Sequence, residues 1–577
     1  MKILLLLLLA AIPGRTHAAP APPKSTESLD GDWQIGCATA VAVTHPCLAE
    51  DRNEPEPSLV PTFHCMGIYW SPEDGGPEHE VRVKFRPNGQ ERWQHGLPLR
   101  YHPVDTPECK ADYRGSIVNL APGTTYEIAL TLEGTKQRAE CRGTTWSEKF
   151  PVASVVKVSD RGTTLTIDKS GTPGGYIVYD GTGCTIDTGN KAEVGIAVNA
   201  SHVILRGFTI RNVMEHGIRL FDGRHIVIED CDISKWGSES ENGWGVNYQA
   251  GVFSNKKALR SVVIQRCRIH HPTWDTNSWA EKHKDSTHPR GPQTVVFWNS
   301  EGNHVIRYNE CWSDEDHYFN DGMGAGSNGG YRGFPGADSD IYGNSIADCW
   351  DDGIEAEGGD QNVRIWNNHI EDVLIPIANA ACSIGPLYVW RNVSSRSYSP
   401  PGSSWDMTHG PFMKMGYAGG EEWMTGHMYV FNNTVFQEDN NGAGGLGGGS
   451  RVIKHCTSRN NILHVREEDR QSIAVHRNHA DNDFDHDLVS AGVPERHEKN
   501  GVQGFPEYRP GAGFDRKTGT GQFQLAPGSN GVDAAVVIPN FCEVIGGNRP
   551  DMGAHESGTG KMQFGVKARF VPPEGLE

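Results

Sequence analysis

Two short stretches decide the fold of this 577-residue chain: Asn320–Gly326, with the sequence NDGMGAG, and Asp351–Glu357, with the sequence DDGIEAE. They align position for position, as equivalent turns of one repeating coil do. Repeats of roughly 20 to 50 residues indicate a solenoid whose units bury their apolar faces on one another. The pair therefore predicts a coil that carries acidic side chains on one of its faces.

A second repeated position holds an asparagine three residues after an aliphatic side chain. Asn344, Asn368 and Asn392 follow one another at intervals of 24 residues, and Asn433 follows after 41. An interval of 24 suits strands joined by turns and is too short for paired helices. We expect Asn309, Asn344 and Asn368 to stack inside one turn of the coil.

The N-terminus and the composition limit the possible functions. Residues 1–18 combine Lys2, a leucine run and a small-residue exit, which is typical of a cleaved secretory signal peptide. The apolar part is too short to span a bilayer. A formal charge of −19 argues against nucleic acid, which is bound by clustered Lys and Arg. We expect a secreted or periplasmic monomer that binds neither nucleic acid nor membrane.

A separate unit is predicted over residues 25–150, where apolar and charged residues alternate with the period of half-buried strands. Between two such strands lies Leu120–Tyr126, with the sequence LAPGTTY. This motif resembles the tyrosine corner of a fibronectin type III domain, in which the tyrosine hydroxyl bonds back over the turn. The resemblance implies a small β-sandwich that positions a catalytic domain and carries no chemistry itself.

Residues 151–470 resemble the right-handed parallel β-helix proteins of the pectate lyase and polygalacturonase-like superfamily. The resemblance rests on Val203–Ile210 (VILRGFTI), Ile226–Ile233 (IVIEDCDI) and the repeated asparagines. The tail, residues 471–577, is similar through Phe523–Asp533 to the closing segment of many secreted bacterial β-helix carbohydrate enzymes. The resemblance implies an all-β fold and a polysaccharide substrate, although one such fold carries lyases, hydrolases, esterases and fibres.

The candidate catalytic residues come from the position before the glycine of each repeat. Along the chain this position holds Val194, His216, Ala250, Gln293, Asp321, Asp352 and Ile375. Neighbouring coils lie about 4.8 Å apart, so the side chains of Asp321 and Asp352 should lie roughly 5 to 7 Å apart in a solvated groove. This separation suits the acid and base or nucleophile of a glycosidase. Asp351 and Glu355 complete the predicted catalytic set.

The predicted substrate-binding residues surround the same face. They are Asp316, His317, His216, Arg219, Arg290, Glu357 and Trp279. Trp279 and Arg290 belong to a long insertion, and loops on a rigid scaffold are where binding residues concentrate. The aromatic plane of Trp279 is of the kind that stacks on a sugar ring.

Three function classes stay open. A glycoside hydrolase leads because the central face is rich in Asp and Glu, although the chain lacks the Arg-Ile-Lys motif of the polygalacturonases, which argues against galacturonan as substrate. A polysaccharide lyase would use a basic side chain to remove the proton next to a uronate carboxylate. The clustered bases are Lys282, His283, Lys284, His288 and Arg290. The third class is a non-catalytic glycan-binding β-helix, which would show no organised acids.

The sequence establishes no cofactor and no metal ligand. Carboxylates are the oxygen ligands that Ca²⁺ prefers, so calcium stays possible, and no Cys/His spacing indicates zinc. An aspartate before glycine is also common in turns, so Asp321 and Asp352 each have a structural explanation. Their shared register, together with Glu355, favours a functional one.

Seven of the thirteen cysteines fall into two groups with distinct expectations. Cys231 and Cys267 occupy the repeated asparagine position, so we expect buried, reduced thiols there. Five cysteines precede residue 150, and an exported chain can form disulfides among them. We expect at least one bridge within the set Cys37, Cys47, Cys65, Cys109 and Cys141.

Overall fold

The computed structural model shows an all-β protein. The described residues are 56–284, 286–326, 328–397, 411–417, 419–437, 444–466, 471–478, 481–542 and 547–573. The predicted signal peptide, Cys37 and Cys47 lie outside these ranges. Within them, no helix is long and apolar enough to cross a membrane.

Most of the described chain is a right-handed parallel β-helix, which confirms the predicted fold class. Its strands form two long parallel sheets. The 12-stranded sheet contains β9 (Val152–Lys157), β11 (Tyr176–Asp180), β14 (Val203–Arg206), β17 (Arg224–Glu229), β20 (Arg260–Gln265), β23 (Val305–Arg307), β26 (Asp340–Tyr342), β28 (Val363–Trp366), β30 (Leu387–Trp390), β33 (Met428–Phe431), β36 (Cys456–Arg459) and β39 (Asp483–Phe484).

The 21-stranded sheet carries the candidate acids. It contains β10 (Leu165–Ile167), β12 (Thr185–Asp187), β13 (Val194–Val198), β15 (Thr209–Arg211), β16 (His216–Leu220), β18 (Asp232–Ser234), β19 (Ala250–Ser254), β21 (Arg268–His270), β22 (Gln293–Phe297), β24 (Glu310–Trp312), β25 (Met323–Gly324), β27 (Ser345–Glu355), β29 (His369–Asn379), β31 (Val393–Ser397), β32 (Pro411–Met415), β34 (Thr434–Phe436), β35 (Gly444–Ile453), β37 (Ile462–Leu463), β38 (Ile473–Asn478), β40 (Leu488–Val489) and β41 (Val502–Gln503). Its last three strands continue the coil beyond residue 470.

A continuous stack of apolar side chains fills the coil. One residue per turn of the 21-stranded sheet points inward and is buried from solvent: Ile196, Ile218, Val252, Val295, Met323, Ile354, Ile377, Met413, Leu446 and Ile473. Each buried aliphatic side chain contributes about 1.5–3 kcal/mol of hydrophobic free energy. The inward position fixes the register, because a shift of one residue would turn every side chain to the other face.

The repeated asparagines form one stack at a corner of the coil, as predicted. We call Asn309, Asn344, Asn368, Asn392, Asn433 and Asn461 the asparagine ladder. Asn368 Oδ1 accepts both the backbone N–H of Asn344, at 3.1 Å, and its side-chain amide, at 2.9 Å. The Asn368 amide donates in turn to Asn392 Oδ1, at 3.0 Å, and to the Ile341 carbonyl, at 2.9 Å. The ladder thereby satisfies buried backbone groups at the turn of each coil.

The thiols at the N-terminal end of the ladder are buried and reduced, which confirms the expectation for Cys231 and Cys267. The backbone N–H of Cys267 donates to Asn309 Oδ1 at 2.9 Å, so the cysteine continues the ladder. Cys65 and Cys141 are also free thiols. The expected bridge before residue 150 stays a prediction, because Cys37 and Cys47 lie outside the described residues.

Eight strands before the coil form two antiparallel sheets. One sheet has the order β1 (Ser58–Pro61), β2 (Met66–Trp70), β6 (Asp112–Ile117) and β5 (Arg100–His102), and the other has the order β4 (Gln94–His95), β3 (Val81–Pro87), β7 (Thr125–Leu132) and β8 (Arg138–Thr144). The Tyr126 hydroxyl accepts the backbone N–H of Ala121 at 2.8 Å, which is the contact expected of a tyrosine corner. The fibronectin type III family itself stays a prediction.

Buried polar contacts join the antiparallel sheets to the 12-stranded sheet. Arg364 donates to Asp340 Oδ1 at 2.5 Å and to Ser116 Oγ at 3.1 Å. The Tyr69 hydroxyl donates to Asp338 Oδ2 at 2.8 Å. The tail adds a small antiparallel sheet, β42 (Gly513–Asp515), β43 (Thr520–Gln522) and β44 (Met562–Gln563), whose Phe523 and Phe564 pack against the coil at Val393.

Candidate active site

The strand pairing places the predicted acids on consecutive coils. Met323 pairs with Ile354 in β25 and β27, so Asp321 and Asp352, two residues earlier on each coil, occupy the same position. Asp352 pairs next with Ile375. In the coil before, Val295 pairs with Met323, which sets Gln293 beside Asp321. The register predicted from the repeated glycines is therefore the register of the structure.

Five carboxyl groups gather just before β25 and along the second half of β27 and the residues after it. We call Asp321, Asp351, Asp352, Glu355 and Glu357 the acid cluster. One oxygen atom each from Asp321, Asp351 and Asp352 lies within 4.8 Å of the other two, and the same holds for Asp352, Glu355 and Glu357. Asp352 belongs to both groups and is the centre of the cluster.

The two central aspartates are buried, which corrects the expectation of a solvated groove. Asp321 is 4% exposed and Asp352 is 1% exposed. Gln293 and Asn320 lie against Asp321, and Lys414 lies against Asp352. Glu355 is half-buried and is more exposed than either aspartate.

Hydrogen-bond donors surround Asp321. Its Oδ2 accepts the Gln293 amide at 2.5 Å and the Asn320 amide at 2.9 Å, and its Oδ1 accepts the backbone N–H of Asp352 at 3.1 Å. Glu355 Oε2 accepts the backbone N–H of Ala325 at 3.2 Å. These donors hold the carboxylates in fixed orientations.

Lys414 is a residue of the candidate site that the sequence analysis did not single out. Its ammonium group lies 2.8 Å from Asp352 Oδ2 and 3.2 Å from Glu357 Oε1. It occupies the same position as Glu355 two coils later, because Glu355 pairs with Ala378 and Ala378 pairs with Lys414. An insertion precedes Pro411–Met415, so the interval that reveals the other coils is lost here. Lys414 could have been found from the sequence only by aligning the strand after that insertion with the strand that holds Glu355.

Several oxygen atoms at the site make no hydrogen bond within the described part of the chain. They are Asp352 Oδ1, Gln293 Oε1 and Asn320 Oδ1, all of them buried. A buried acceptor without a donor costs about 1–3 kcal/mol in a folded protein. Asp360 Oδ1 and Asn379 Oδ1 elsewhere in the coil are unsatisfied as well. What distinguishes the cluster is that its unsatisfied oxygen atoms lie among several carboxyl groups.

Burial and mutual repulsion raise the pKa of the acids. Burial first, and then Glu355, Asp351 and Asp352, raise the pKa of Asp321 well above its ordinary value. Burial raises the pKa of Asp352 to about 7, although Lys414 opposes the rise. Burial, Glu357 and Asp352 likewise raise the pKa of Glu355. Crowded carboxyl groups share this behaviour in many acid and base sites.

At Lys414 the neighbouring charges outweigh the effect of burial on the pKa. Burial lowers the pKa of its ammonium group, but Asp352 and Glu357 outweigh burial and hold that pKa well above its ordinary value. Lys414 stays protonated for as long as these carboxylates carry their charge. Any ligand that neutralises them weakens this effect.

The loop of residues 271–292 borders the cluster. His288 Nε2 lies 3.6 Å from Asp351 Oδ2, and the His288 side chain is 56% exposed. Trp279 is buried against Leu374, Ile375 and Ala378 and contacts the His288 ring at 4.8 Å between ring centroids. Trp279 thus fixes the loop on the coil and does not present an open plane to a sugar. Arg290 is exposed on the same loop, and its backbone N–H is held by Asn277 at 2.9 Å.

Four predicted substrate-binding residues are not brought to the cluster. His216 and Arg219, both in β16, lie three coils before Asp321 and four coils before Asp352 and Glu355, or roughly 14 to 19 Å at strand spacing. The His216 ring is buried and stacks on Phe253, 3.9 Å between centroids. Asp316 and His317 belong to an exposed turn. His317 Nδ1 lies 2.8 Å from Asp314 Oδ1.

The donor set fits a divalent cation of the calcium type. Ca²⁺ takes about six to eight oxygen ligands, and carboxylates and amide carbonyls are its usual partners. The cluster supplies oxygen atoms only, and Asp352, Gln293 and Asn320 hold acceptors without donors. Asp321, Asp351 and Asp352 are the residues that would hold the ion. Five carboxyl groups against one lysine also leave negative charge that a cation would balance.

Comparison with known proteins supports the architecture. Residues 194–384 match the family model described as "Right handed beta helix region". This match spans the coils that hold Asp321, Asp352 and Glu355, and it ends before Lys414. No curated protein and no solved structure matches the chain. The fold is compatible with proteins that act on polysaccharides, and the activity has to be argued from the site.

Proposed function

We propose that this protein cleaves an acidic, uronate-containing polysaccharide by β-elimination at the acid cluster, with Lys414 as the base. The observation that carries the proposal is the ion pair between Lys414 and Asp352, inside a group of carboxyl groups that needs a cation. If residues 1–18 direct export, as predicted, the protein would meet such polymers outside the cell.

β-Elimination needs two things that this site combines. A base must take the proton from the carbon next to the uronate carboxyl group, and the negative charge of that carboxyl group must be neutralised so that the proton is acidic enough to leave. A divalent cation held by Asp321, Asp351 and Asp352 would supply the neutralisation when bound. Lys414 is the buried amine next to these acids.

The reaction balances without any other reactant. Lys414 would act as a neutral amine after losing its own proton to solvent, a form that a cation on the neighbouring carboxylates would favour by offsetting the charge that raises the pKa of its ammonium group. The amine accepts the sugar proton, the electron pair of the broken C–H bond forms a carbon–carbon double bond, and the bond to the glycosidic oxygen breaks. The leaving oxygen takes up a proton, for which His288 is placed at the exposed edge of the site. Arg290, on the same loop, is an exposed cation that would bind a sugar carboxylate.

Hydrolysis is the second candidate, and Glu355 favours it. Burial, Glu357 and Asp352 raise its pKa, which favours the protonated form that a general acid needs, and its side chain is more exposed than those of Asp321 and Asp352. The originally predicted pair fits less well. Glycosidase carboxyl groups lie on either side of the scissile bond, whereas Asp321 and Asp352 are almost fully buried and joined by a hydrogen bond.

A panel of uronate and neutral polysaccharides, assayed with calcium and with a chelator, separates these functions. The assay follows new reducing ends and the ultraviolet absorbance of a new double bond. We expect both signals on a uronate polymer and neither in chelator. Reducing ends without absorbance would replace elimination by hydrolysis. No product from any polymer would leave a glycan-binding role.

A further inference from the structure

A cavity lies between the antiparallel sheets and the coil, away from the acid cluster. Its volume is about 330 Å³, which is within the range of small-ligand sites. Strand β5 supplies one wall through Arg100, Tyr101 and His102, and the coil supplies the other through Thr425 and Tyr429. Neither wall forms the cavity alone.

Polar contacts across the cavity hold its side chains in place. Arg100 Nε donates to the Tyr429 hydroxyl at 2.9 Å. His102 Nε2 lies 3.2 Å from Thr425 Oγ1. On the coil side, His427 Nε2 lies 3.0 Å from Thr457 Oγ1. A site whose groups are already oriented loses little conformational entropy when a ligand binds.

Arg100 keeps donors available for a ligand. Its Nε is used by Tyr429, but its two terminal amino groups make no hydrogen bond to any described residue. The nearest acid, Glu80, is 3.9 Å from Nη1, beyond hydrogen-bond distance. The guanidinium of the other arginine in the cavity, Arg114, is already bound to Asp112 at 2.6 Å and to the Lys110 carbonyl at 2.6 Å. Arg100 is therefore the cation that can bind an anion here.

The remaining walls suit a sugar ring. Tyr101 and Pro103 present accessible apolar surfaces to the cavity. His102 and His427 are neutral at physiological pH, because burial lowers the pKa of His102 to about 2 and that of His427 well below its ordinary value. Neutral imidazoles donate and accept hydrogen bonds, as sugar hydroxyls require.

We infer that this cavity is a second, non-catalytic site that binds a carboxylate-bearing sugar, with the Arg100 guanidinium paired to the carboxylate and the ring lying along Tyr101. The ligand is either one unit of an acidic glycan chain or a free uronic acid. The site is built from other residues than the acid cluster and does not depend on the proposed cleavage reaction.

Calorimetric titration of the full-length protein with glucuronate and galacturonate tests this site. Monosaccharides contain no bond to cleave, so a failure of the proposed reaction does not affect the result. We expect Arg100→Gln to weaken binding roughly ten- to hundredfold, as loss of a charge-assisted pair does. Glu80→Gln should strengthen it several-fold by removing a nearby negative charge. Arg82→Ala, which removes an exposed arginine that pairs with Glu133, should change nothing.

Three outcomes would overturn the assignment. They are unchanged uronate affinity in Arg100→Gln, weaker affinity in Glu80→Gln, and equal affinity of the wild type for glucose or galactose. A uronate trimer, titrated in parallel, distinguishes the source of the ligand. Much tighter binding of the trimer would identify the polymer, and equal binding would identify the free sugar. Both results support the site.

Discussion

The asparagine ladder and the acid cluster follow from the same repeat but differ in how their polar atoms are satisfied. In the ladder, Asn344 and Asn368 each find partners on the neighbouring coils, and their side-chain amides are fully bonded. In the cluster, Asp352 also repeats a neighbour's position, yet its Oδ1 makes no hydrogen bond to any described residue. Repeated side chains whose polar atoms are all hydrogen-bonded stabilise the fold, whereas repeated side chains with unbonded oxygen atoms leave a place where a ligand can bind.

The asparagine ladder and the acid cluster also differ in charge. A stacked amide carries no net charge, so adding one more coil to the ladder costs nothing in repulsion. Each added carboxylate raises the pKa of its neighbours, as Asp321 and Glu355 show. A protein under no functional constraint would lose such a cluster easily, because most neutral replacements would relieve it.

The largest effect is expected from Lys414→Ala. Removing the proposed base should lower turnover on the native polysaccharide by at least about a thousandfold. Lys454→Ala is the matched control, because Lys454 has the same 16% side-chain exposure and pairs with Glu421 outside the cluster. Initial rates of both variants measure the effect. Normal turnover in Lys414→Ala would remove the lysine from the mechanism.

The ladder should respond in stability and not in chemistry. Asn368→Ala removes the oxygen atom that accepts the backbone N–H and the side-chain amide of Asn344. It also removes the amide that donates to the Ile341 carbonyl. At about 1–3 kcal/mol for each buried unsatisfied group, the free energy of unfolding should fall by about 3 kcal/mol or more. Denaturant unfolding measures the loss. A change below about 1 kcal/mol would mean that the ladder is not a main source of stability.

The pH dependence of stability should differ between wild type and Asp352→Asn when a chelator is present. The folded pKa of Asp352, about 7, lies above its unfolded value of 3.8. The contribution of protonated Asp352 to the free energy of unfolding is therefore complete below about pH 4 and is lost as the pH rises through 7. We expect equal melting temperatures at pH 4 and a more stable variant at pH 8. Melting curves that stay parallel from pH 4 to 8 would contradict the raised pKa.

The smallest effect is expected from Arg219→Ala. Arg219 lies four coils from Glu355 and rests over the rings of Phe221 and Phe253. The substitution should change turnover less than about twofold, in agreement with its distance from the acids. Initial rates on the native polymer check this. A tenfold loss would show that substrate extends that far along the coil.

The sequence predicted the parts of the molecule that repeat. Each of two pairs recurs at the spacing of one coil, namely Asn344 with Asn368 and Asp321 with Asp352. The spacing along the sequence therefore predicted the strand register and the neighbouring positions of the two aspartates. The burial of Asp352 did not follow, because it depends on contacts with residues distant in sequence, such as its ion pair with Lys414. Lys414 was missed for a related reason, since an insertion separates it from Ala378 in the preceding coil. Non-repeating loops have no periodic signal that could place them.

Calcium titration of the chelator-treated protein tests the central claim most directly, namely that the unsatisfied oxygens of the acid cluster bind a divalent cation. Calorimetry should give one saturable site in the wild type and in Asp316→Asn, whose acid lies on an exposed turn. Asp352→Asn should lose that site, because Asp352 belongs to both groups of carboxylates. No binding in the wild type at millimolar calcium, or equal binding in wild type and Asp352→Asn, would contradict the account.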